Sequence, residues 1–333
     1  MSASTIDLSI ALSDNERTRP VLQGRFQPQG IRLLPTCVHP SEMFWRQLKF
    51  GDFDVSEMSM SSLIISISRG DNRWVAIPIF TMRRFFHTDV LVRRDSGITK
   101  PLDLRGKRVG VPEYQQTAAI WSRGILQHEF DVHSREIEWF MERGPDKSHG
   151  GSTYFSPPTG VKLNQIPPTT NIGEMMVNGE LDATLLYIPD KNLVDRSRVD
   201  LLQHPDITTM FSDPLGERQR YFSKTSIYPI NHTMVIKRSV LEKYPWAALN
   251  IFHTFIAAKN DVEVETKASL DSYFDTGLLD KSAQLALKTD VKAYGLKAAR
   301  NVLELVAHFV HEQGLTDRLV KLEEIFAPST LDL

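Results

Sequence analysis

Short β-branched runs alternate with alanine- and leucine-rich runs from one end of this chain to the other, a pattern that restricts it to an α/β fold. Extended runs are predicted at 6–12, 53–56, 74–80, 88–93, 136–140, 183–187 and 226–237. Helical runs are predicted at 41–49, 63–68, 117–130, 172–177, 246–258 and 298–312. Between 144 and 168 the composition shifts to Gly, Pro, Ser and Thr and reads as a long surface loop. The most legible unit runs from Asp103 to Trp121. A β-branched run ends at Gly110-Val111-Pro112, and Thr117 begins an alanine-rich helix. A helix start at the carboxyl end of a strand presents free N–H groups and the positive end of the helix dipole, which suits a small anion.

At 333 residues the chain is long enough for two lobes. We expect 1–97 and 228–333 to form the first and 98–227 the second, with a ligand cleft between them. A net charge of −2 without a polybasic block excludes extended nucleic-acid binding. Cys37 is the single cysteine, which excludes an internal disulfide and an all-cysteine metal site. Met1 to Leu12 shows neither a basic n-region nor a long apolar stretch, so a cytoplasmic protein without membrane association is expected. The apolar run from Val302 to Val310 can pack on the first lobe or join subunits of a homo-oligomer. No Walker A loop, G-x-G-x-x-G, G-x-S-x-G or H-E-x-x-H is present, and no cofactor is expected. His308 and His311 share a helix face beside Glu312, a spacing that suits a solvated helix better than a metal pair.

Several blocks, in order, carry a family resemblance: Phe53-Asp54-Val55-Ser56-Glu57-Met58-Ser59-Met60-Ser61-Ser62, Ile77-Pro78-Ile79-Phe80 through His87-Thr88, and Gly110 to Trp121. Tyr228-Pro229-Ile230-Asn231-His232-Thr233, His311-Glu312-Gln313-Gly314-Leu315 and Phe326-Ala327-Pro328-Ser329-Thr330-Leu331 complete the set. Across nearly its whole length the chain resembles the 4,5-dihydroxyphthalate decarboxylase family. The resemblance implies a two-lobe type II periplasmic-binding-protein-like fold, cytoplasmic location, and non-oxidative decarboxylation of a hydroxylated aromatic acid in aromatic compound catabolism. Its partner would be a small aromatic carboxylate. A solute-binding protein for such a molecule and a hydrolase on the same scaffold are the alternatives, because a scaffold does not choose its chemistry.

Three positions depart from the family pattern. Phe86 stands where the family has arginine before the residue matching His87. Leu186-Tyr187-Ile188-Pro189-Asp190 replaces an Ala-Pro-Arg-x-Pro loop, and Asn231 replaces methionine. Each lost charge-assisted contact to a carboxylate removes roughly 1.5–3 kcal/mol, so a less anionic or bulkier substrate than 4,5-dihydroxyphthalate is expected.

By this resemblance His87 is the leading acid/base and His232 the second, since imidazole exchanges protons near neutral pH. Glu57 would orient one of them or, with a pKa raised in an apolar cleft, donate the proton itself; it is equally readable as a helix-start carboxylate. A divalent metal would require His87, Glu57 and His232 to converge, and none is predicted. Arg83 is expected on the substrate carboxylate, with Arg84 facing solvent because neighbours on an extended segment point opposite ways. Ser59, Ser61 and Ser62 offer hydroxyls at a helix start, where capping is the ordinary role. Tyr114, Gln115 and Thr117 would contact substrate from the other lobe. Trp121 is readable as core or as a stacking platform.

Overall fold

Two mixed sheets, each assembled from strands distant in sequence, carry the fold of the computed structural model, which describes residues 5–333. The first half contributes β1 (Ile6–Leu12), α1 (Arg19–Leu22), β2 (Ile31–Cys37), α2 (Pro40–Phe50), β3 (Val55–Ser59), α3 (Met60–Ser68), β4 (Trp74–Arg83), β5 (Leu91–Arg93), β6 (Arg108–Val111), α4 (Thr117–Phe130) and β7 (Glu138–Met141). There follow α5 (His149–Thr153), β8 (Lys162–Gln165), α6 (Ile172–Val177), β9 (Ala183–Thr184), β10 (Ile207–Thr209), α7 (Pro214–Thr225) and β11 (Ile230–Lys237). The C-terminal part is helical: α8 (Arg238–Lys243), α9 (Ala247–Asp275), α10 (Lys281–Ala286), α11 (Leu296–Glu312) and α12 (Leu322–Ile325).

The first sheet has the order β2-β1-β3-β11-β4, parallel except for β11, which returns from the second lobe and inserts antiparallel between β3 and β4. The second has the order β10-β5-β9-β6-β7-β8. Its first crossing lies earlier than the boundary expected after residue 97. The main-chain groups of β5 pair with β9 and β10, so the chain leaves the first sheet after Arg83.

Local signals end the helices where expected in several places. Gly51, at φ 65°, caps α2 in the left-handed region. Gly124 lets α4 approach α11, since a Cβ there would lie 2.3 Å from the Phe309 ring. One continuous core joins both lobes, with Ile10 and Ile77 under the first sheet, Val109 and Trp139 in the second, and Trp121 against Phe309 between them. The apolar run of α11, including Val302, Leu303, Val306 and Val310, is buried in that core within one chain.

Three sequence expectations need correction. The 144–168 stretch is not one loop, because it contains α5 and β8. The strand expected over 183–187 stops at Thr184, since Leu186 turns the backbone left-handed at φ 62°. The extended run expected to end at residue 56 continues to Ser59, so Glu57 lies inside β3 rather than at a helix start.

Candidate active site

Three helices begin at the junction between the lobes. Pro40 opens α2, pre-set for the first helical position, and the Nδ1 of His39 accepts the Ser41 N–H at 3.3 Å. Ser59 and Gln116 occupy the cap positions of α3 and α4, and neither side chain caps its own helix. Instead the Thr117 hydroxyl of α4 accepts the Ser61 N–H of α3 at 2.9 Å and lies 2.9 Å from the Ser59 hydroxyl. His39, Ser59, Gln116 and Thr117 all line one cavity of about 200 Å³ between the lobes. Backbone N–H groups and positive dipole ends therefore converge on a space that suits an anion.

On the opposite wall His232 projects from β11. It faces Ser59 in the β3–β11 ladder, and Glu57 faces Met234, so the two side chains share one sheet face. Glu57 is fully buried and accepts four bonds: Ser13 N at 2.6 Å, Ser13 Oγ at 2.7 Å, Thr81 Oγ1 at 2.6 Å and His232 Nδ1 at 3.2 Å. Burial alone would raise its pKa. The bond and charge of His232, then Thr81 and Ser13, outweigh burial and hold the carboxyl below its usual range. Glu57 is thus an anion that orients His232, not the proton donor expected from an apolar cleft. With Nδ1 engaged, Nε2 is the His232 nitrogen left for a ligand. Phe44 sets the ring from its edge, with centroids 4.7 Å apart. Asn231 and His232 both line the cavity although they are neighbours on a strand. The β11–β4 register shifts on either side of His232, and such a bulge re-aims side chains in this way.

A third wall comes from the stretch after β7. Arg143 is buried and pairs with Asp195 (Nε–Oδ1 2.7 Å, Nη2–Oδ2 3.0 Å), while its Nη2 reaches across the cleft mouth to Ser41 Oγ at 2.6 Å. Its Nη1 lies 3.4 Å from His149 Nε2. Guanidinium only donates, so Nε2 accepts, and Nδ1 carries the proton toward Ser62 Oγ at 3.0 Å. Burial, followed by the Arg143 charge, lowers the His149 pKa well below the ordinary value. A neutral imidazole already donating to Ser62 cannot serve as its base, which removes that pair as a hydrolytic nucleophile. Behind it Glu113 Oε2 accepts the His149 N–H at 3.0 Å, Oε1 has no partner, and burial pushes the carboxyl up to about 7.

The structure redistributes the expected site residues. His232, Ser59 and Thr117 line the cavity, with Glu57 directly behind His232. His87 does not. It is fully buried in the turn before β5, enclosed by Phe85, Phe211 and Tyr221, with Nε2 3.4 Å from Glu217 Oε1. His87, Glu57 and His232 therefore do not converge on a metal, and among the described residues no group of three or more His, Cys, Asp or Glu is arranged to hold one. Arg83 points inward, donating to the Ala293 carbonyl at 2.7 Å, and burial, then the Arg17 charge, lowers its pKa to about 10. Strand alternation holds but its phase is opposite to that expected, so Arg84 reaches the cavity, where it pairs with Asp89 at 2.7 Å.

Ser61 and Ser62 sit one layer back, bonded to Gln115 O and His149. Tyr114 packs on Trp139 and Phe155 with the Arg123 guanidinium 3.7 Å over its ring, and Gln115 accepts from Thr153 at 3.0 Å. Trp121 is core, its Nε1 donating to Ile230 O at 2.8 Å. Residues that sequence reasoning missed are His39, Ser41, Gln116, Arg143, His149 and Tyr187. The His39-Pro40-Ser41 run carried a helix-start signal that could have found the first two. Elsewhere, His311 Nδ1 bonds the Thr316 carbonyl and Glu312 pairs with His128. No helix among the described residues is long and apolar enough to cross a membrane.

No family model matches the sequence. The chain is 29% identical over 333 residues to 4,5-dihydroxyphthalate decarboxylase of Comamonas testosteroni, covering 99% of this chain and 98% of the relative. It is 30% identical over 222 residues to the protein of the same name from Pseudomonas putida, covering 66% of this chain and 83% of the relative. Among solved structures it is similar to the alkanesulfonate-binding protein SsuA of Xanthomonas axonopodis pv. citri bound to MOPS (TM-score 0.56, 13% identity, 99% of each chain). It is also similar to the periplasmic aliphatic sulphonate binding protein SsuA of Escherichia coli (TM-score 0.54, 14% identity, 97% of this chain and 92% of that one). These likenesses identify the two-lobe periplasmic-binding-protein fold.

Proposed function

Given that the chain belongs to the 4,5-dihydroxyphthalate decarboxylase family, we propose that it removes the carboxyl group of a hydroxylated aromatic acid without oxidation. The observation that carries this reading is the His232–Glu57 pair facing three helix starts across one small cavity. The helix starts hold the carboxylate, and His232 Nε2 is left to handle the proton.

Decarboxylation needs an electron sink and a proton for the ring carbon. A hydroxyl ortho or para to the carboxylate supplies the sink. His232 Nε2 takes the phenolic proton, and Glu57 stabilises the resulting imidazolium. The imidazolium returns that proton to the carbon bearing the carboxylate, which becomes tetrahedral in a keto tautomer. The bond to the carboxylate then breaks, carbon dioxide leaves, and the bonding pair restores the ring as a phenolate. Solvent protonates the phenolate, so one proton is consumed per turnover.

The charge inventory favours a monoanion. Arg143 is paired with Asp195, Arg84 shares Asp89 with Arg218, and Asp190 adds a carboxylate to the lining, so beyond the helix dipoles the cavity offers little net positive charge. That agrees with the less anionic substrate expected from the departures at Phe86 and Ile188.

The test is carbon dioxide release from a panel of hydroxylated aromatic mono- and diacids by wild type, His232→Gln and Glu57→Gln proteins. Release from a monoacid, lost in His232→Gln, is the expected result. Thermal stabilisation by panel acids with no release from any of them would refute decarboxylation and favour a binding protein.

A further inference from the structure

The cavity at His232 is small for its proposed task. Its volume of about 200 Å³ falls under the roughly 300–1,000 Å³ of most small-molecule sites. It does not end there. Arg84, Phe86, Leu186 and Tyr187 also line a second cavity of about 320 Å³ on the second lobe. These four residues form the boundary between the two spaces, which together have the usual size of a ligand site.

The second cavity has its own chemistry. Leu91, Pro189, Leu201, Leu202 and Pro214 give it an apolar wall, and Leu202 is 70% exposed there. Its charges balance, since Asp89 bridges Arg84 (2.7 Å) and Arg218 (2.9 Å) and Asp200 offsets the second arginine. A second carboxylate would find both arginines already paired and no net positive charge to meet it. An uncharged apolar group would cover the leucine surface.

The seam carries an independent sign of function. Leu186 holds φ 62°, a left-handed conformation that a leucine rarely adopts, at a cost of roughly 1–3 kcal/mol, and strain of this kind gathers at binding sites. The turn places Leu186 and Tyr187 on the boundary shared by both cavities, with the Tyr187 hydroxyl anchored to Val199 O at 2.7 Å.

We propose that the second cavity is a substrate subsite, receiving an uncharged apolar substituent, an aryl or branched alkyl group, carried on the ring of the aromatic acid bound at His232. The proposal rests on the decarboxylase reading only for where the carboxylate sits. Leu186 and Phe86 form the shelf that the substituent crosses, and Leu202 covers its far end.

Salicylate and its ring-phenylated isomers separate the possibilities, each titrated calorimetrically and assayed for carbon dioxide release with wild type and Leu202→Glu proteins. Leu202 is exposed and outside the His232 cavity, so the substitution should leave the fold and salicylate binding unchanged. The expected result is that one phenylated isomer binds at least about tenfold tighter than salicylate, and that Leu202→Glu erases the advantage. Equal affinities in wild type, or an advantage that survives Leu202→Glu, would overturn the subsite even if carbon dioxide is released. The binding pattern without release from any acid would support the subsite and sink the decarboxylase reading instead.

Discussion

Replacing Glu113 with glutamine should flatten the dependence of stability on pH. Glu113 is fully buried, its Oε1 has no hydrogen-bond partner, and burial raises its pKa from 4.5 to about 7 against the opposing pull of Arg143. The folded protein therefore holds this proton more tightly than the unfolded chain does. The stabilisation is complete below the unfolded value of 4.5 and is lost as pH rises through about 7. A shift of that size corresponds to about 3 kcal/mol across the window. Glutamine keeps an oxygen for the His149 N–H and cannot ionise, so Glu113→Gln should lack the decline. His149 runs the other way in part of the same range. Its pKa is depressed, so its neutral folded form contributes stability that is lost as pH falls below 6.5. The difference between the two proteins, rather than either curve, isolates Glu113. Urea unfolding at intervals from about pH 5 to about pH 8 gives that difference. Parallel curves for wild type and Glu113→Gln would refute the reasoning, because they would mean that the carboxyl does not change protonation within the window.

Glu57→Gln removes the counter-charge of the His232 imidazolium, and the turnover rate should fall about 10²–10⁴-fold with a smaller change in KM, read from steady-state kinetics. The same variant should also reduce the loss of stability on acidification below pH 4.5, since the lowered pKa of Glu57 stabilises the fold above that value and ceases to do so as pH falls through the folded one. Arg84→Gln, at an exposed cavity residue, should weaken acid binding about tenfold without moving the melting temperature, as checked by calorimetry and thermal unfolding.

The residues that place the cavity differ in how far sequence reveals them. The alternation of extended and helical runs is a local property, and α4 and α6 occur at 117–130 and 172–177 as expected because turn and cap residues bound them. The five-residue α5 carries no periodic signal of its own. Its start is capped by Ser148 and tied to Glu113, a residue far away in sequence, so a Gly-rich segment that reads as loop delivers His149 to the cleft. The choice between Arg83 and Arg84 depends on the phase of β4 against β11, which the register shifts around His232 set and which no local pattern shows. His87 matched a family motif, yet its burial among Phe85, Phe211 and Tyr221 is a tertiary fact that no motif contains. The positions of Glu57 and His232 depend on the pairing of strands some 175 residues apart.

The hydroxyl of Thr117 joins α4 to α3 at the cleft floor, with Ser61 bonded to Gln115 O at 2.6 Å and Ser62 to His149 beside it. Trp121 adds a bond to Ile230, and Arg143 closes the mouth on Ser41. These bonds all tie one lobe to the other, and each contributes about 1 kcal/mol, so parting the lobes means breaking several in concert. Carbon dioxide, small and neutral, needs no such parting, whereas a benzene ring does. For a decarboxylase built this way the two products leave on separate clocks. The gas can leave a shut enzyme, whereas the aromatic product leaves only once the seam opens.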